Sequence, residues 1–303
     1  MIDRLITNIK KTENPTVVGL DPTFEMIPES LSSEMFEKYG KTPKAVASMF
    51  LEFNKQIIDE TYDLIPAVKP QIAMYENYGI PGLETYIETI KYAKSKGLIV
   101  IGDIKRGDIA ATAKAYSSHI GITDVEGEKF DIWGSDAVTL NPYMGYDAIE
   151  PFIANCNDHD KGMFVLVKTS NPHGRQIQDL VVGDEKVYEQ VAKLVSDWGK
   201  EAMGELGYSK IGAVIGATYP EEAGQIRKMM PHTYFLVPGY GAQGADAEKL
   251  KGCFNEDGLG AVVNSSRGII AAYKTNEDYK GMDFAKAARE AVVAMKKDLQ
   301  SII

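Results

Sequence analysis

The sequence is poor in the residues that would mark several large protein classes. Its 303 residues include only two cysteines, Cys156 and Cys253, without CxxC spacing, so neither a disulfide framework nor a structural zinc site is supported. His119, His159, His173 and His232 are scattered without ligand spacing, and no metal centre is expected. No apolar run reaches membrane-spanning length. Met1–Asn14 alternates charged and apolar residues and lacks the apolar stretch of a signal peptide, so a reducing cytoplasm is the expected compartment. Positive charge is in deficit. Lys and Arg number 33 against 43 Asp and Glu, a net −10 that argues against a general nucleic-acid binder, since few phosphates could be neutralised at once. One small anion in a locally basic pocket stays compatible with that balance.

What the sequence does have is alternation. Eight short, continuous Val/Ile/Leu-rich runs read as strands buried on both faces: Thr16–Leu20, Ala67–Ile72, Leu98–Ile104, Ala137–Leu140, Met163–Val167, Ile211–Ile215, Tyr234–Val237 and Ala261–Asn264. Helical patterns lie between them. Lys44–Leu64 aligns Val46, Phe50, Phe53, Ile57 and Leu64; Leu83, Ile87 and Ile90 follow the same period, as do Val187, Val191 and Leu194. Met282–Ile303 reads as a closing helix. Eight strand–helix units, with no Gly-rich dinucleotide turn after the first strand, favour an α/β fold of the (β/α)8 TIM-barrel type over an open doubly wound sheet. No repeat or composition break marks a second domain, so residues 1–303 read as a single barrel domain with inserted loops. The extra length falls at Pro22–Pro43, Gly121–Gly134, Asn171–Val182 and Ala272–Gly281, read as loops or capping helices.

Chemistry in such a barrel collects at the C-terminal ends of the strands, and these ends are polar. The third strand is the most informative. Period two places Asp103 and Lys105 on one face, aimed at the barrel mouth, and Lys69 brings a second ammonium from the neighbouring strand. Asp103 and Lys105 could form a purely structural ion pair, and Asp108, where a helix over Ile109–Ile120 begins, could be a helix N-terminal charge or cap. Converging ionisable groups at a barrel mouth nevertheless favour a site. An ammonium between carboxylates stays protonated. It is therefore a poor Schiff-base nucleophile, but a good general acid and a stabiliser of developing negative charge on carbon. This set suits making and protonating a carbanion without metal or cofactor. After the last two strands, Gly239, Gly241, Gly244 and Gly268 permit close backbone approach, while Gln243 and Arg267 supply neutral and bidentate donors; the loop pair reads as a phosphate site.

These residues together resemble the orotidine 5′-phosphate decarboxylase family, in its longer subgroup: Asp21 in VGLDP, Lys69 in VKPQ, DIKRGD at 103–108, PGYGAQG at 238–244 and NSSRGI at 264–269. The match runs in barrel order over nearly the whole chain. The resemblance implies decarboxylation of orotidine 5′-phosphate to uridine 5′-phosphate in de novo pyrimidine biosynthesis, without a cofactor. It implies that Lys105 protonates the pyrimidine carbon, Asp103 faces the departing carboxylate and Lys69 holds the ribose and the charge network. Asp108 would complete the tetrad in a partner subunit's site with Thr112 beside it, so a homodimer with shared sites is implied. Asp21 would bind a ribose hydroxyl, and Ser170 the pyrimidine, with Thr169 the alternative in the pattern TSNP. Gln243, Arg267 and the Gly268 N–H would hold the 5′-phosphate. Two other readings compete: a phosphosugar lyase or aldolase on the same barrel, and a non-catalytic phosphate-ligand sensor.

Overall fold

The eight apolar runs form eight parallel strands, numbered here in chain order: β1 Thr16–Leu20, β2 Ala67–Pro70, β3 Ile99–Arg106, β4 Ala137–Leu140, β5 Gly162–Lys168, β6 Ile211–Ile215, β7 Phe235–Pro238 and β8 Ala261–Ser265. Each pairs with its neighbours in sequence, and β8 pairs with β1, closing the barrel. The structure, a computed structural model, describes residues 1–216, 220–241, 247–279 and 283–303. The expected (β/α)8 architecture is therefore what the chain forms. Among the described residues no helix is long and apolar enough to cross a membrane.

Because side chains alternate along a strand, each strand serves two cores. Val17, Ala67, Ile99, Ile101, Ala137, Phe164, Leu236 and Val262 fill the barrel interior. Met1, Ile2, Leu5, Ile6 and Ile9, on and next to the helix Ile2–Thr12, close this interior cluster from below. The alternate positions, including Val18, Val68, Val100, Val138 and Val165, face outward into a larger cluster shared with the surrounding helices. Phe50, Phe53 and Ile57 of the helix Pro43–Thr61 sit in that outer core, as their spacing predicts.

Two helices are turned differently from the aliphatic pattern. In Val187–Gly199 the buried face is Tyr188, Ala192, Val195 and Trp198, whereas Leu194 is 48% exposed. The large rings decide the rotation, since burying them removes more apolar surface than burying Leu194. In Gly79–Ser95 the buried face is Gly82, Thr85, Tyr86, Thr89 and Ile90, with Leu83 and Ile87 at its margin. Gly82 is required there because a Cβ would collide with the Tyr75 carbonyl oxygen. The insertions are also structured. Pro22–Pro43 contains the helix Glu29–Tyr39, Gly121–Gly134 a hairpin of Thr123–Val125 and Glu128–Phe130, and Asn171–Val182 the short helix Arg175–Gln178.

Candidate active site

The uppermost inward-facing layer of the barrel is divided by chemistry. On β1 to β4 and β8 it carries Asp21 (just beyond β1), Lys69, Asp103, Thr139 and Asn264; on β5 to β7 it carries Leu166, Val214 and Leu236. All line one cavity of about 620 Å³ that opens at the strands' C-terminal ends. One wall is charged and the other is apolar.

The charged wall is organised around Asp103, which is 5% exposed. Lys69 Nζ donates to its Oδ2 at 2.7 Å, and Lys105 Nζ to its Oδ1 at 2.5 Å. The Thr139 hydroxyl donates to Oδ1 as well, at 2.7 Å. Burial raises the Asp103 carboxyl, but Lys69 and Lys105 outweigh it and hold the group well below the usual carboxylate range. Lys69 is opposed by the same burial. Asp103, with Asp21 Oδ1 at 3.7 Å, overcomes it and raises the ammonium above its ordinary value. Asp103 is thus a carboxylate and Lys69 an ammonium at neutral pH.

Local backbone geometry makes this convergence possible. Between Gly102 and Arg106, β3 spends four residues where β4 spends two, Val138 to Leu140. A bulge of this kind re-aims side chains. Lys105 adopts a left-handed backbone with φ 45°, a conformation costing roughly 1–3 kcal/mol in a non-glycine residue. Thr139 offsets part of that cost by accepting the Lys105 N–H at 3.1 Å. The Lys105 side chain is 45% exposed, projecting into the mouth.

Asp108 lies beyond the bulge and does not line the cavity of its own chain. Its carboxylate accepts the N–H of Ile109 at 2.8 Å, and no side chain caps the helix Ala110–Tyr116. Asp108 therefore does not cap this helix, although its carboxylate stands directly before the helix's first turn. Thr112 is exposed on that helix. Within one chain, Asp108 and Thr112 stand apart from the Asp103 array.

At the end of β5, Lys168 is 1% exposed. Its ammonium pairs with Asp179, lies 3.5 Å from Glu222 and sits over the Tyr188 ring. This cluster ties the segment carrying Thr169 and Ser170 to the helices behind it. The Thr169 hydroxyl is engaged inside the chain, donating to Asn171 and accepting from Gln178. Both Thr169 and Ser170 line the cavity. On the far side, Arg267 opens the short helix Arg267–Ile270 at the cavity's rim, with Gly268 next to it. Gln243 and Gly244 lie outside the described residues.

Sequence reasoning missed Thr139, Asn264, Ser266 and Lys168. A hydroxyl at an interior position of the otherwise apolar run AVTL was a usable signal for Thr139. Ser266 donates to Asp21 Oδ2 at 2.7 Å, across the β8–β1 seam. That contact had no local signature. Cys156 and Cys253 are buried, and burial pushes both thiols up to about 12, so neither is a nucleophile.

Residues 17–282 match the model of the Orotidine 5′-phosphate decarboxylase / HUMPS family. The chain belongs to this family. Among curated relatives, the orotidine 5′-phosphate decarboxylase of Petrotoga mobilis is 46% identical over 305 residues, spanning 99% of this chain and 98% of the relative. That of Clostridium botulinum strain Loch Maree is 44% identical over 303 residues and covers both chains completely. Among solved structures, OMP decarboxylase from Leishmania donovani superposes with a TM-score of 0.72 at 32% identity, covering 98% of each chain. The family match spans β1 to β8, so the Asp103 array and the Arg267 rim both fall inside it.

Proposed function

We propose that this chain, over its whole length, is an orotidine 5′-phosphate decarboxylase that forms uridine 5′-phosphate in pyrimidine biosynthesis in the cytoplasm. The observation carrying this reading is the convergence of Lys69 and Lys105 on Asp103 in a cavity that Arg267 also lines. The charged wall suits the reacting carbon and the ribose, the apolar wall suits a flat base, and the rim suits a phosphate dianion.

In this mechanism the bond between the pyrimidine C6 and its carboxylate breaks. The electron pair stays on C6, and carbon dioxide leaves. The Lys105 ammonium stabilises the growing carbanion character and transfers its proton to C6; solvent then restores the proton to Lys105. No metal or cofactor is required, because a fixed ammonium supplies both charge and proton. Asp103 faces the departing carboxylate and holds Lys105 in place, while Lys69 keeps the array charged and contacts the ribose. Asp21 accepts a ribose hydroxyl, Ser170 meets the pyrimidine, and Gln243, Arg267 and the Gly268 N–H bind the 5′-phosphate. Asp108 and Thr112 complete the site of a partner subunit, so the working unit is a homodimer. Enzymes lower barriers by about 8–23 kcal/mol, and a reaction this slow without catalysis calls for the upper end. Binding energy from the remote phosphate can contribute if it is realised in the transition state.

The test is the ultraviolet absorbance of orotidine 5′-phosphate incubated with the purified chain in the presence of chelator, with Lys105→Ala as control. Conversion to uridine 5′-phosphate that the control lacks is the expected result. No turnover by a folded dimer would reject the activity and redirect the search to phosphosugar substrates.

A further inference from the structure

We propose that Lys168 is a positioning residue for the substrate's base: its ammonium, turned behind the barrel by a bulge in β5, clamps the segments after β5 and β6 together and fixes where Ser170 stands. The inference rests on the nucleotide reading above and extends it to a side chain behind the cavity wall.

Alternation along β5 turns Phe164 and Leu166 into the barrel and would turn Lys168 inward after them. The pairing with β6 breaks that pattern. Leu166 lies opposite Val214 and Lys168 opposite Ile215, so β5 spends one residue more than its partner. The bulge turns Lys168 outward alongside Ile215, which belongs to the core shared with the helices, and it brings Thr169 and Ser170 to the cavity. A buried ammonium at a strand end is thereby placed directly behind two residues of the site.

Two neighbouring residues hold two neighbouring residues there. Asp179 accepts from Lys168 Nζ, while Gln178 accepts the Thr169 N–H at 3.0 Å and donates to its hydroxyl at 2.7 Å. A second arm reaches β6. Lys168 Nζ lies 3.5 Å from Glu222 on the helix Pro220–Met229, and the Lys168 carbonyl accepts the Gly216 N–H at 2.7 Å. Arg175 reaches Asp179 and Lys186 reaches Glu222, whereas Lys168 reaches both carboxylates. Gly216 closes the arrangement, because a Cβ there would lie 2.7 Å from the Ser170 nitrogen and 2.9 Å from its Cα. The backbone of Ser170 is thus seated against the end of β6 without clearance, and a shift of either arm passes to it. Packed apolar side chains would stabilise such a junction as well as a buried ion pair does. What the ammonium adds is a fixed distance and direction to each carboxylate, which suits a loop two residues from a substrate contact.

The experiment measures competitive inhibition of orotidine 5′-phosphate turnover by uridine 5′-phosphate and by ribose 5-phosphate, which lacks the base. The proteins are the wild type, Lys168→Gln, Lys168→Arg, Glu222→Gln and Ser170→Ala, with Lys168→Gln and Glu222→Gln each also combined with Ser170→Ala. Lys168→Gln should weaken uridine 5′-phosphate about three- to tenfold, the order of one hydrogen bond, and leave ribose 5-phosphate unchanged. Lys168→Arg should recover most of that loss. Glu222→Gln keeps the pair with Asp179, so it carries the test if Lys168→Gln folds poorly, and it should act in the same direction. In the Ser170→Ala background either substitution should add less than about twofold, because the residue being positioned is gone. Equal weakening of both ligands, effects that multiply independently of Ser170, or wild-type inhibition in Lys168→Gln and Glu222→Gln would overturn the proposal while leaving the nucleotide reading intact. A folded wild-type protein that neither turns over orotidine 5′-phosphate nor binds uridine 5′-phosphate would overturn both.

Discussion

Thr139 and Asp103 are joined by a 2.7 Å hydrogen bond across the β3–β4 seam, where β3 carries two more residues than its partner. The same hydroxyl oxygen accepts the backbone N–H of Lys105. One small side chain therefore holds both the carboxylate and the strained residue that delivers the second ammonium. Thr139→Val keeps the shape and removes both bonds. Hydrogen bonds to charged groups contribute about 1.5–3 kcal/mol, so kcat should fall roughly tenfold to a hundredfold. Steady-state kinetics at saturating substrate checks this, with KM little changed; a wild-type kcat would remove Thr139 from the positioning scheme.

The charge array also sets a pH window for stability. Asp103 has a folded-state pKa below its unfolded value, so its contribution is present above the unfolded carboxylate range and is lost as pH falls through the depressed value. Lys69 is shifted upward, so its contribution is complete below the unfolded lysine value, about 10.4, and is lost as pH rises through the folded one. Between those limits neither group changes protonation. Denaturant midpoints measured against pH should therefore show no contribution from this pair near neutrality. Asp103→Asn should flatten the acid limb relative to wild type. An unchanged acid limb in that variant would assign acid sensitivity to other carboxylates.

Asp108 stands outside its own chain's cavity, which makes subunit sharing testable by mixing. Lys105→Ala and Asp108→Ala proteins, each nearly inactive, should regain activity on subunit exchange, because a heterodimer assembles one intact site. Random exchange places about half of the protein in heterodimers with one working site each, so recovery should approach a quarter of wild-type activity, on the order expected for two-fold symmetric association. Demonstrated exchange without recovery would reject the assignment of Asp108 to the partner's site.

Arg267 lines the cavity at the start of the helix Arg267–Ile270. Arg267→Ala should weaken uridine 5′-phosphate by about tenfold to a hundredfold, the worth of a charge-assisted bidentate contact, and leave uridine unaffected. Titration of both ligands distinguishes a phosphate contact from a general distortion of the mouth, which would weaken both.

Much of the site was readable because barrel topology maps strand ends to one place. Lys69, Asp103 and Lys105 needed only their positions at the ends of β2 and β3 to be brought together. Thr139 and Ser266 were not legible in the same way. Each acts across a seam between strands that are distant in sequence or bulged, and local patterning carries no record of that pairing. Leu194 is exposed against its periodicity for a related reason. Aliphatic periodicity describes one helix, whereas the rings of Tyr188 and Trp198 and the ammonium of Lys168 decide which face it turns inward.

By itself, the order of residues along the chain determined the number of strands, their burial on both faces and the polarity of their C-terminal ends, because these follow from periodicity and short-range chemistry. Only the tertiary structure decided that β3 bulges against β4, that two lysines share the carboxylate of Asp103, and that Ser266 reaches Asp21 across the β8–β1 seam. Those outcomes depend on register and on the clearance between neighbouring strands. Such quantities arise when the barrel closes and have no counterpart in any single segment of the sequence.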